Sequence, residues 1–335
     1  MTSPRLFKWL ALTAVVDWLL GRTLTRSAIF MPKAPPVLLA YEGMNVLAQL
    51  ALTASALLAH AGLLWLSWWL YQRSYRLLPT LLLILTSLNL FSLFQALPVG
   101  MTLAYQLIAL WAVVELARQA AKASTGWLQG LTWALPAGAL AAGKLHQAVV
   151  SLPGVLPIAG QPQLSNALFS AGEALVVASG LVFGWVFARQ VPHRWIWPVA
   201  SLPPLVFSLL YVAAPSMAGV LSIWSVGLTL YLPWPLYALS LWAGTAAMLA
   251  SVRRGHPAGL AIPLLIAAGY APQLSTHFAF GLIALWLLRL GYGPDSLATT
   301  TQTQARSALR RCLQASPRAA RQPAASTCPG RRIRL

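Results

Sequence analysis

The polar side chains that interrupt the long apolar runs of this chain are the ones whose types and spacing could do chemistry. Glu173 stands in the run from Ser165 to Trp185, which is otherwise apolar or small. The whole chain holds only five acidic residues: Asp17, Glu42, Glu115, Glu173 and Asp295. A carboxylate in such a run is costly unless it is paired, protonated or in contact with water. At helical spacing Asn166, Glu173, Gly180 and Gly184 fall on one line. Gly180 and Gly184 form a GxxxG, which admits a neighbouring helix at close range. Glu173 is therefore expected to face protein, roughly 12 Å from the outer end of its helix at 1.5 Å per residue.

A second constellation runs along one helical face: Glu42, Asn45, Gln49, Thr53, Ala56 and His60 step by three or four residues, and Ser67 continues the line. Such a stripe is expected to face protein or water rather than lipid. It suits either the wall of a solute pathway or a set of interhelical hydrogen bonds, each often worth only about 0.6 kcal/mol. A third group lies in "GALAAGKLHQ". Lys144 and His146 point about 200° apart there, so at most one faces Glu173 squarely. Lys144 shares its face with Gln147, and His146 shares its face with Ala139, Ala142 and Gly143. Near the C-terminal end of the apolar region Gln273, His277 and Gly281 line up as well.

Lys144, His146, His277 and water are thus the candidate partners of Glu173. A Lys144–Glu173 pair would neutralise both charges, although buried pairs do not reliably stabilise. His146 and His277 could ligate haem or a metal, with Glu173 as a further ligand. No HxxH, HExxH or CxxC spacing supports that, and no cofactor is predicted. Intramembrane carboxylates and histidines also build routes for protons, ions and small polar solutes. Enzymes that hold a metal-bound diphosphate are disfavoured, because no two acids lie within ten residues of each other. There is no P-loop, GxGxxG or GxSxG either. Glu115, three residues before Arg118, reads as an ordinary surface pair, and Asp17 as similar or as a partner of Arg22.

The elements that must position these residues follow from composition. The chain is 58% hydrophobic and 8% charged over 335 residues, where a soluble domain carries about 25% charged residues. Its mean hydropathy is +0.68. Apolar runs of about 20 residues without alternation indicate helices rather than a barrel. The expected fold is all-α: a polytopic helical integral membrane protein over 1–298, with about nine or ten transmembrane helices. The apolar runs near 217–235 are expected to form a re-entrant or interfacial element around "YLPWPLY". The run 6–21 is the weakest span, with an interfacial helix as the alternative.

Basic residues at Arg73/Arg76, Arg118/Lys122, Arg189/Arg194 and Arg253/Arg254 alternate with uncharged connections. By the positive-inside rule the basic side is cytoplasmic, which puts both termini inside. The net charge of +18 is accounted for in this way, without a nucleic-acid partner. Several Trp residues near run ends fit interfacial belts. Residues 299–335 form an Arg-rich segment without acids, expected to be a disordered cytoplasmic tail attracted to anionic lipid headgroups. Cys312 and Cys328 lie in that tail with no nearby His, so they form no zinc site.

The expected function is that of a plasma (inner) membrane protein with a polar, outward-facing cavity that moves a small solute or ion. The alternatives are a non-catalytic membrane subunit of a larger complex, with membrane protein partners, and a redox or acid–base enzyme at the outer face. An enzyme is not the favoured class.

Overall fold

Periodicity decides which faces of these helices pack. In helix α1 (Pro4–Ser27), Phe7, Leu10, Ala11, Ala14 and Asp17 are buried, a stripe at helical spacing. Helix α2 (Pro35–Gln72) buries Ala59, Leu63, Leu66 and Leu70 in the same way. Helix α4 (Val99–Ala123) buries Tyr105, Ala109, Ala112, Val113, Leu116 and Ala120. The computed structural model describes residues 4–27, 35–95, 97–124, 126–156, 160–188, 194–205, 234–270 and 275–292. Among them all regular structure is helical. The remaining helices are α3 (Leu77–Phe94), α5 (Trp127–Ser151), α6 (Pro162–Phe183), α7 (Ile196–Ala200), α8 (Trp234–Arg254), α9 (Ala258–Tyr270) and α10 (Ser275–Tyr292). A π-helical turn, Gly184–Ala188, extends α6. Most of the expected re-entrant element, the tail from 299, Arg189 and Gln273 lie outside the described residues, as does the side chain of Arg22.

Among the described residues four stretches are long and apolar enough to cross a membrane: Asn45–Gln72, Val99–Ala123, Pro162–Ala188 and Pro235–Arg254. Leu77–Ser92, Ala258–Ala268 and Thr276–Gly291 are apolar but shorter. The difference from nine or ten expected spans has physical causes. Helix α1 carries several charges, α5 is diluted by Gln, Gly, Pro, Lys and His side chains, the long apolar run 258–290 is divided between α9 and α10, and residues 206–233 lie outside the described residues. Helix α1 is no peripheral element, because it packs along α2 and against α9.

Helix α10 is the axis of the bundle. From His277 to Leu288 every residue is buried, and the helix packs on α2, α4, α5 and α9. Close approach is permitted by small residues. A Cβ on Gly281 would meet Leu140 Cδ1 of α5 at 2.6 Å. A Cβ on Gly62 of α2 would meet Ile283 Cδ1 at 3.0 Å. The GxxxG of α6 meets α8 as the sequence pattern indicates. Ser240 Oγ donates to Val177 O at 2.9 Å, and a Cβ on Gly184 would meet Ala243 Cβ at 2.6 Å. These pairings make α6 and α8 parallel.

The contacts also give the bundle a polarity. Arg289 of α10 donates to the Tyr75 hydroxyl, in the α2–α3 turn, at 3.0 Å. Arg73 lies 3.6 Å from the centre of the Trp69 ring, and Trp69 meets Trp286 edge-on. Phe187 at the end of α6 stacks near His256 of the α8–α9 junction, and Arg253 approaches Trp195. Helix α1 enters at the same end, because Phe7 meets Trp65 edge-on. Helix α4 runs parallel to α10, since both run antiparallel to α5: Val99 faces Gly154, and Leu140 faces Gly281. Arg118 and Lys122 therefore stand at this end too. Apart from Lys144, every Lys or Arg whose side chain is described lies within about two turns of one end of the bundle, here called the basic end.

Candidate functional site

Towards the opposite end, several helices each turn a polar side chain inward at one level. Helix α10 brings His277, whose Nε2 lies 3.0 Å from Asp17 Oδ2 of α1, and both side chains are almost fully covered. Helix α5 brings Lys144, which has no exposure at all. Its Nζ lies 4.4 Å from the centre of the Phe278 ring and 5.3 Å from that of Tyr105 on α4. Among the described residues Nζ has no hydrogen-bond acceptor. Tyr105 directs its hydroxyl toward the Asn89 side chain of α3, which is itself buried. The pairing of Gly62 with Leu10 and with Ile283 sets the register of α2, and it puts the fully buried Ser55 at the level of Asp17 and His277. A layer of Asp17, Ser55, Asn89, Tyr105, Lys144 and His277 therefore crosses the bundle, and among the described residues it holds the buried lysine and the buried Asp17–His277 pair.

The reason the chain builds this layer lies in helix spacing. Asp17 continues the buried stripe of α1 one turn beyond Ala14, so the apolar face of α1 carries it inward. Lys144 follows Leu140 by one turn on the face of α5 that meets α10. A buried ammonium without an acceptor is expensive. The aromatic faces of Phe278 and Tyr105 offset part of that cost, with about 2 kcal/mol as a typical value for a desolvated cation–π contact.

The predicted site residues separate into three places. Lys144 and His277 belong to the buried layer. His146 points the other way, as the 200° separation requires. Its Nδ1 lies 2.9 Å from Ser165 O and 3.0 Å from Ser165 Oγ, and its ring leans on Phe169. His146 thus ties the end of α5 to the first turn of α6. Glu173 is half-buried on α6, more than one turn deeper than the level of Lys144 and His146. The contacts of Gly172 with Ala142 and Ala139, and of Gly138 with Leu175, set that register. His146 and His277 do not share a site. Among the described residues no three His, Cys, Asp or Glu side chains group as metal ligands.

The α2 stripe divides along its length. Glu42, Gln49 and Thr53 are exposed on the bundle surface, and Asn45 is half-buried. Thr53 Oγ donates to Gln49 O within the helix at 2.9 Å. His60 is buried, with Nδ1 2.6 Å from Ala56 O, and Ser67 donates to Pro79 O at 2.7 Å across the α2–α3 hairpin. The stripe therefore runs from the surface into the core and does not face protein throughout.

Two sequence expectations change. Asp17 is no surface group: its described partner is His277, more than 250 positions away, so no local pattern names it. The signal that could have placed it was its position on the Phe7–Leu10–Ala14 stripe. Glu115 does pair with Arg118, at 2.8 and 2.9 Å, and also accepts from Gln119 at 2.9 Å. The arginine is exposed but the carboxylate is largely covered, because α4 turns Glu115 toward its packed side. Tyr105 and Asn89 were not singled out by the sequence, since a lone polar residue in an apolar run carries no spacing. No family model, curated protein or solved structure matches this chain.

Proposed function

We propose that the chain is a multi-pass protein of the plasma (inner) membrane that moves a small solute or ion. In this reading the basic end faces the cytoplasm, and the layer of Asp17, Lys144 and His277 is the level at which the solute or ion is held. The observation that supports it is the burial of three ionisable side chains, from α1, α5 and α10, at one level of an apolar bundle. Ionisable groups at such a depth are costly, and in membrane bundles they characteristically mark solute and proton pathways. In this reading the layer, towards the end opposite the basic one, is nearer the outer face. The test is osmotic swelling of proteoliposomes carrying the purified protein, in isosmotic potassium acetate, glycerol and neutral amino acids. At least one solute is expected to enter several-fold faster than into protein-free vesicles, and Asp17→Asn is expected to remove that difference. Equal rates for all solutes with and without protein would overturn the reading.

A second reading has its own support. Glu42, Gln49 and Thr53 are exposed on α2, the first just before the apolar stretch Asn45–Gln72 and the other two within it. Polar groups on a lipid-facing surface are unfavourable, so a membrane subunit that covers them with a partner also fits. Gentle solubilisation followed by purification distinguishes this reading, which requires a stoichiometric partner.

A further inference from the structure

The amine of Lys144 has a feature that the transport reading leaves open. The layer contains one carboxylate, Asp17, and that carboxylate is engaged by His277 on α10. Lys144 Nζ stands on the neighbouring face of the same helix, against Phe278, fully buried and without an acceptor among the described residues. The structure there supplies one amine, two aromatic rings and the apolar side chain of Leu140 one turn deeper. No described arginine stands at this level, and no second lysine. A phosphate or dicarboxylate would therefore lack a partner for its second charge, and the planar fork that favours bidentate phosphate binding is absent. A chloride ion would meet the amine but would bring no apolar body to the rings and to Leu140. A carboxylate with a short apolar body fits both parts: its charge meets the ammonium, and its carbon chain meets Phe278, Tyr105 and Leu140.

We propose that Lys144 is the binding residue for a small monocarboxylate, held between Phe278 and Tyr105 in the outer half of the bundle. This rests on the transport reading for its physiological use, and it names the class of solute. Charge pairing at this depth is strong because the surrounding dielectric is low. The bound anion supplies the acceptor that the protein does not, so binding removes the cost of the isolated cation. Substitution of Lys144 by methionine is expected to leave the protein folded, since replacing a buried charge with an apolar side chain of similar volume is often neutral or stabilising.

The experiment uses the full chain purified in detergent. Thermal unfolding is followed by tryptophan fluorescence in potassium acetate, propionate or benzoate, against potassium chloride at equal ionic strength. The expected result is a midpoint raised by several degrees by a carboxylate and not by chloride. Lys144→Met should fold, should lose that increment and should bind at least tenfold more weakly. Lys144→Arg should retain a reduced increment. The same rise in chloride, no rise in any carboxylate, or an undiminished rise in Lys144→Met would each overturn the proposal. The swelling assay separates this from the broader reading. Carboxylate binding with no solute entry would keep the site and remove transport. Entry of another solute without carboxylate binding would keep transport and remove this site.

Discussion

Asp17 and His277 meet at 3.0 Å with 5% and 2% of their side chains exposed. At that burial the loss of one partner leaves the other without compensation, and breaking a buried pair typically costs about 3–5 kcal/mol. Asp17→Ala is expected to destabilise on that scale, against a much smaller change for Asp17→Asn, as read by unfolding midpoints in one detergent. His256, at the α8–α9 junction, provides a pH dependence. Its Nδ1 accepts from the Ala258 amide at 3.1 Å, capping the first turn of α9. Burial pushes its pKa below the ordinary value of 6.5; the nearby Arg254 lowers it further, while a hydrogen bond with the Gly291 backbone raises it. The unfolded chain therefore binds more protons than the folded one just below pH 6.5. The contribution of His256 to stability is present above that pH and is lost as pH falls through the folded value. Unfolding midpoints should decline from about pH 6.5 downward, and His256→Asn, which can cap without titrating in this range, should flatten the decline.

Among the helices, α6 and α8 approach each other closely. A Cβ on Gly180 would overlap Ser240 Oγ and come within 2.7 Å of the Ser240 carbonyl oxygen, which is backbone and cannot rotate away. Gly180→Val is therefore expected to cost more than the 1–3 kcal/mol usual for overpacking. Gly130, with open space around it, should accept alanine with little change. Paired unfolding measurements of the two variants check this contrast. Helix ends show the same economy of contacts. The α8–α9 junction uses Gly255 at φ +65°, with His256 N donating to Ser251 O at 2.9 Å, whereas the α2–α3 turn places Ser74 at φ 65°. The second turn holds a non-glycine residue in the left-handed region, which the Tyr75–Leu70 backbone bond and the Arg289–Tyr75 contact maintain.

For the whole molecule the informative quantity is the segregation of charge. Arg73, Arg76, Arg118, Lys122, Arg194, Arg253, Arg254 and Arg289 gather at one end of the bundle. Aromatic rings accompany several of them: Trp69 under Arg73, Tyr71 under Arg76 and Trp195 near Arg253. In the proposed orientation this end lies at the cytoplasmic headgroups, where basic and aromatic side chains are favoured. Single cysteines test the sidedness in a background with Cys312 and Cys328 removed. Positions 74, 124 and 255 should resist a membrane-impermeant maleimide in intact cells, and positions 98 and 160 should react. The reverse pattern would invert the orientation, and labelling without regard to end would remove it.

Much of this was written in local spacing. The helical character, the basic connections, the close approach at Gly180 and Gly184, and the opposed directions of Lys144 and His146 all follow from 100° per residue and from the cost of charge in apolar surroundings. Each is a relation between residues less than one helix apart, so the sequence alone carries it. What only the tertiary structure decided is which faces meet. The partner of Asp17 is on the last described helix, the ring against Lys144 is set by the packing of α10, and Glu173 lies deeper than the groups that spacing offered it. Those pairings depend on the register between helices distant in the chain. That register is fixed by the fit of small residues such as Gly62, Gly180 and Gly281 against their neighbours, and no periodicity within one helix records it.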